Sequence, residues 1–276
     1  MKTADKIMIY DDSCPMCAAY TKAFVNTGLL AGAGRQSFSN ADKNLLSQID
    51  PVKSRHEIPL IDTKKKTILY GIDAMLEVIG NKLPLVKRLG TFKPINFFLK
   101  KLYKLVSYNR RVITASTTQS IHFDCTPDFN LPYRILLLGI GFCFNTLMLS
   151  PTYHNVFIHS IFSSATANQL QIAHLAFVSF NILLATRLTL KRAIDFLGQI
   201  NLIGIMYSLL MIPLIIVNHL FIIPHLINTI LLFAVFFLMI LEYKRRMKYA
   251  GILQNTSILV LDAILAVLFL GYLAYA

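Results

Sequence analysis

The sequence predicts a small α/β domain followed by an all-α membrane domain of about five helices, and three observations lead there. Of 276 residues, 55% are hydrophobic and only 15% charged, where ordinary soluble domains hold roughly 45 to 50% and 25%. The charge is unevenly placed: residues 1–131 carry 19 of the 27 Lys+Arg and 11 of the 14 Asp+Glu, leaving 8 and 3 for the remainder. Short strand and helix signals separated by turn residues also give way, from Leu131 onward, to long apolar runs. A single soluble globule, a disordered chain and a collagen-like rod are excluded.

Taken in order, the N-terminal elements begin with Ile7 to Tyr10, an apolar strand signal closed by the turn residues Asp11, Asp12 and Ser13. A helix is expected from Pro15 to about Leu29, because proline suits the first turn, where its missing N–H costs little. Cys14 then stands at the positive end of that helix dipole, which favours thiolate, and Cys17 follows at Cys-x-x-Cys spacing as a resolving partner. A strand at Arg35 to Ser39 and a helix from Ala41 to Ile49 come next. The strand Glu57 to Asp62, the turn of Thr63 to Lys66, the strand Thr67 to Tyr70 and the helix Ile72 to Ile79 complete a β-α-β-(α)-β-β-α order.

That order resembles the thioredoxin and glutaredoxin fold, and a narrower likeness is carried by three motifs. Tyr10-Asp11-Asp12-Ser13-Cys14-Pro15-Met16-Cys17, Gly71-Ile72-Asp73-Ala74, and Leu102-Tyr103 through Asn109-Arg110 are similar to those of the DCC thiol-disulfide oxidoreductase-like proteins, over about residues 6–111. The resemblance implies thiol-disulfide exchange with a protein or small-molecule thiol, needs no cofactor, and makes Pro59 a cis-proline facing the dithiol. Asp12 stands where the family usually has Gly, and its charge is expected to oppose thiolate formation. The apolar runs lie outside the likeness.

Other readings of these residues remain open. Cys14 and Cys17 are half of a zinc site only if a second ligand pair exists, and His56 is the one histidine nearby, so no metal is expected. Asp11 either moves a proton to or from Cys17 as a buried general acid-base group or fills the turn. Met16 is a substrate contact or core. Cys125 is either a third thiol for a relay or an inert small hydrophobe, within His122-Phe123-Asp124-Cys125-Thr126-Pro127-Asp128-Phe129. The segment 94–111 reads as a basic amphipathic helix that lies on an anionic membrane surface or packs on its own domain.

The domains are therefore drawn as 6–111, a juxtamembrane linker over 112–130, and a membrane domain over 131–276. Its spans are expected at 131–149, 170–186, 200–217, 220–241 and 258–276, the second weakened by His174, Ser179 and Asn181. Basic clusters at Arg134, at Arg187, Lys191 and Arg192, and at Lys244 to Lys248 alternate with loops free of Lys and Arg. By the positive-inside bias they place the N-terminus inside and the C-terminus outside, in a bacterial-type inner membrane. Residues 1–30 show no signal-peptide pattern, so the N-terminal domain is expected in the cytoplasm. His154, His159, His219 and His225 then map to the outer side, as interfacial anchors or ligands. His174, Asn181, Asn201, Asn228 and Asp262 lie within spans as functional groups or interhelical hydrogen bonders, and Cys143 is expected to be a buried apolar residue.

No nucleic-acid motif accompanies the net charge of +13, and no polynucleotide partner is expected. The leading expectation is a membrane-tethered thiol-disulfide oxidoreductase. Its rival is a non-catalytic subunit whose redox-fold domain docks membrane or cytosolic proteins, and the third is a quinone-linked or transport membrane protein.

Overall fold

A computed structural model describes residues 5–116 and 125–275. The chain divides into two compact units, Met1–Tyr133 and Arg134–Ala276. The first holds β1 (Lys6–Tyr10), α1 (Pro15–Asn26), β2 (Arg35–Ser37), α2 (Lys43–Leu46), α3 (Pro51–His56), β3 (Pro59–Asp62), β4 (Thr67–Tyr70), α4 (Gly71–Ile79), α5 (Pro84–Thr91) and α6 (Lys93–Thr114).

The sheet runs in the order β2-β1-β3-β4, with β1 parallel to β2 and antiparallel to β3, and β3 antiparallel to β4. Period-2 alternation gives it two apolar faces. Met8 and Leu60 pack with Leu30, Ala74 and Val78 on one, while Ile9 and Ile61 pack with Phe38, Ile49 and Cys125 on the other. The sheet order and strand senses are those of the thioredoxin-like core.

Two local expectations are corrected. The single helix expected over residues 41–49 is the short α2, followed by α3. Asp42 accepts the Asn44 N–H, and Asp50 accepts those of Val52 and Lys53 ahead of Pro51, so two separate helix starts are capped. No cis peptide bond occurs among the described residues, so Pro59 follows a trans bond. Trans is the ordinary X–Pro state, and here the Ile58 carbonyl accepts from Gly71 N–H while its own N–H goes to the Tyr103 hydroxyl. The apolar side of the amphipathic segment 94–111 stays open along α6, with Ile95, Phe98, Leu102 and Val106 exposed beside Lys100 and Lys101, whereas Leu105 and Val112, off that side, are buried.

The second unit contains α7 (Leu131–Asn155, whose first three residues belong to the first unit), α8 (Ala167–Ala185), α9 (Leu190–Leu220), α10 (His225–Tyr249) and α11 (Thr256–Tyr275). Four segments, Leu131–His159, Leu190–Leu220, His225–Tyr249 and Thr256–Tyr275, are long and apolar enough to cross a membrane. The expected second span is α8, a 19-residue helix diluted by Asn168, Gln169, Gln171, His174 and Asn181 and not among the four. Pro224, placed inside a span by the sequence reading, instead caps α10 from outside, because a proline disfavours helix in the residue before it.

Asparagines join these helices. Asn145 donates to the Asn201 side chain at 3.1 Å, and Asn201 donates to the Leu138 carbonyl at 3.2 Å. Gly141 and Gly204 make the approach possible, since a Cβ there would meet Asn201 at 2.2 Å and Asn145 at 2.5 Å. Asn228 donates to the carbonyls of Val156 and His159 at 2.7 and 3.0 Å. Asn201 and Asn228 thus serve as interhelical hydrogen bonders. Cys143, expected to be buried, is exposed.

Candidate dithiol site

Cys14 is the N-cap residue of α1, in extended conformation with no side-chain cap, and Pro15 begins the helix. Its N–H donates to the Asp11 carbonyl at 3.2 Å, closing the turn that leaves β1. Both thiols are free and covered, Cys14 at 0% and Cys17 at 5% exposure. Met16 between them is half-buried.

The two thiols differ in proton affinity. A hydrogen bond from the Cys17 side chain brings Cys14 down to about 6; the Cys17 N–H and the charge of Arg110 act in the same sense, against burial and Asp11. Its own bond to Cys14, together with burial, pushes Cys17 well above the ordinary thiol range. An anion at the N-terminal end of a helix, receiving two hydrogen bonds, is favoured by geometry as well as by charge.

Asp11 lies beneath this turn. One carboxylate oxygen accepts the Ser13 N–H at 3.0 Å and the Ser13 hydroxyl, and the other stands 3.5 Å from Arg110 and 3.6 Å from Arg111. Asp11 therefore fills the turn and balances two buried guanidinium groups. Asp12, expected to oppose the thiolate, is turned outward to accept from the Ser39 hydroxyl at 2.6 Å, and it is Asp11 that opposes ionisation of Cys14.

The C-terminal end of α6, far along the chain, completes the site. Arg110 of α6 donates to the carbonyl of Arg55 at 2.9 Å and to that of Cys125. Arg111 donates to the Ser13 hydroxyl at 2.6 Å, and the Ser116 hydroxyl reaches the Ser13 carbonyl at 3.3 Å, so the end of α6 covers the dithiol turn. Burial, with Cys17 as a further cause, pushes the Tyr103 and Tyr20 phenols up. Arg110 and Tyr103 belong to the third sequence motif, whose residues carried no assigned role. A buried Arg one turn from the end of a basic helix is the signal that marks it.

The other candidates make the following contacts. Pro59 is buried at the start of β3, one position beyond its last register pair with β1. Cys125 is buried in the apolar cluster of Ile9 and Ile61, and burial raises its thiol far from ionisation. His56 contacts Asp128 at 3.1 Å and packs against Tyr108 at 4.8 Å between centroids. Among the described residues no three His, Cys, Asp or Glu side chains form a group able to hold a metal ion. His122, Phe123 and Asp124 lie outside the described residues.

A four-stranded sheet with a dithiol at the N-terminus of the helix following its first strand defines a thioredoxin-like dithiol domain. Residues 8–116 match the family of DCC1-like thiol-disulfide oxidoreductases, so the chain carries a domain of that family, and α7 to α11 lie beyond the match. No curated protein and no solved structure matches the chain.

Proposed function

We propose that this protein is a membrane-tethered thiol-disulfide oxidoreductase in which Cys14 attacks and Cys17 resolves. The observation that carries the reading is the placement of Cys14 at the N-terminal end of α1 with Cys17 in the first turn, and the direction of the electrostatics, lowering Cys14 and raising Cys17, supports it. The Cys14 thiolate attacks one sulfur of a substrate disulfide, forming a mixed disulfide and releasing one substrate thiolate. Cys17, giving up its proton, then attacks the Cys14 sulfur, which forms the Cys14–Cys17 disulfide and releases the second thiolate. The substrate gains two electrons and the pair loses two; the reverse sequence oxidises a dithiol.

Arg110 is assigned as the residue that holds the thiolate by charge, and Asp11 as the one that holds Arg110 and the Ser13 turn in place. The helices α7 to α11 are assigned as five membrane segments with residues 1–130 in the cytoplasm, supported by the alternating basic clusters. The open apolar surface of α5 and α6, carrying Leu85, Leu89, Phe97 and Phe98 among lysines, supports contact of this domain with the lipid surface.

Cys17→Ser tests the roles. It is expected to accumulate a mixed disulfide through Cys14 on a non-reducing gel, while Cys14→Ser accumulates none. Identical adducts from both variants would reverse or abolish the assignment. The complete burial of Cys14 favours a second reading, a docking module without turnover, and that reading predicts unchanged cellular function in Cys14→Ser.

A further inference from the structure

The helical unit encloses a cavity of about 610 Å³, bounded by all five of its helices. It runs along α7 from Ile135 to Thr152, about 25 Å at 1.5 Å per residue. The cavity is therefore a long slot. Among the described residues, no Lys, Arg or Glu lines it, and Asp262 is its sole acidic residue.

The lining is chemically uneven. Seven Phe and Tyr rings line it, among them Tyr207 and Phe236 at 5.6 Å and Phe177 and Phe269 at 6.3 Å between centroids. Among them the Tyr207 hydroxyl is buried with no hydrogen-bond partner among the described residues. A buried hydroxyl left in this state costs free energy that a ligand oxygen would recover. Ile135, Gly139 and Ile182 of the lining are themselves exposed, so the slot has a side opening between α7 and α8.

We propose that this cavity binds a neutral, lipid-soluble ring compound with an apolar tail, of the quinone class. The assignment rests on reading α7 to α11 as membrane-embedded, which makes the side opening an entrance from the bilayer. Each feature selects part of the ligand. The absence of Lys and Arg rejects a phosphate head group, the aromatic walls favour a planar ring over an alkyl chain, and the Tyr207 O–H donates to a ring carbonyl. The remaining apolar length takes the tail. No electron transfer is required of the site for this binding.

The test is thermal unfolding of the purified full-length chain, titrated with 2,3-dimethoxy-5-methyl-6-decyl-1,4-benzoquinone and, separately, with 1-dodecanol. Saturable stabilisation by the quinone and none by the alcohol at equal concentration is the expected result. Tyr207→Phe should weaken quinone binding about fivefold, the effect of one lost hydrogen bond. Gly139→Phe adds bulk where a Cβ meets nothing within 4 Å, and it should weaken binding about tenfold or more by closing the entrance. Equal stabilisation by dodecanol, no saturation with the quinone, or wild-type affinity in both variants would overturn the proposal. Fractionation of cells reads the membrane assignment separately, because recovery of the chain in the soluble fraction sinks that assignment whatever the titration gives.

Discussion

Arg110 joins three parts of the first unit through one guanidinium: it reaches Asp11, the carbonyl of Arg55 and the carbonyl of Cys125. A buried cation is tolerable only when it is compensated in this way. Its charge also favours the anionic form of Cys14. The sign follows directly: a thiol is neutral when protonated, so a nearby cation lowers its pKa and removal of the cation raises it. In wild-type protein the pH profile of Cys14 alkylation should have its midpoint near 6, well below the free-thiol value of about 8.5. Arg110→Gln should move the midpoint toward the free-thiol value, and Arg110→Lys should hold it lower than Gln does. A wild-type midpoint at alkaline pH, or one unmoved in Arg110→Gln, would remove Arg110 from the role assigned to it.

At the scale of elements, the junction between β4 and α4 shows how a loop motif serves the site. Gly71 has φ +59, and a Cβ there would meet the Tyr103 ring at 3.1 Å and the Glu57 carboxylate at 3.2 Å. Left-handed backbone costs a residue with a side chain about 1–2 kcal/mol, and the added methyl also presses on the tyrosine that holds Ile58 ahead of Pro59. Gly71→Ala should therefore lower the unfolding midpoint of the first unit by several degrees, on the order of 3–8 °C. An unchanged melting curve would mean that α4 can begin without this conformation. The same motif was legible in the sequence as Gly71 to Ala74. The starts of α3 and α5 at Pro51 and Pro84 were equally written in it, although no helix was expected at either.

Over the whole molecule, the two units separate the cysteines. Cys14, Cys17 and Cys125 belong to the first and Cys143 to the second, where it is exposed on α7. Cys143→Ala is expected to leave thiol exchange and cellular function unchanged. A loss comparable to that of Cys14→Ser would call for a relay between molecules. The basic residues make a second prediction at this scale. With five membrane segments, a reporter fused after Ala276 should behave as extracytoplasmic, and one inserted near Lys248 as cytoplasmic. Reversal of both results, extracytoplasmic near Lys248 and cytoplasmic after Ala276, would mean that α8, with its His174 and Asn181, does not cross the membrane, which leaves four crossings.

What the sequence by itself determined about this protein is what depends on near neighbours along the chain. The Cys14–Pro15 start of α1, the turn at Thr63 to Lys66 and the apolar content of α7, α9, α10 and α11 are of this kind. Caps, proline geometry and hydropathy act within a few residues, so their consequences are readable without knowing where the chain goes next. Only the tertiary structure decided which charge meets which. Arg111 and Ser13 stand 98 residues apart yet touch, and Asp11, not Asp12, ended beneath the dithiol because a turn of one residue points two adjacent carboxylates in different directions. The Asn145–Asn201 contact and the slot lined by five helices depend likewise on how separate elements pack, since electrostatic and steric neighbours are set by distance through space and no local pattern encodes it.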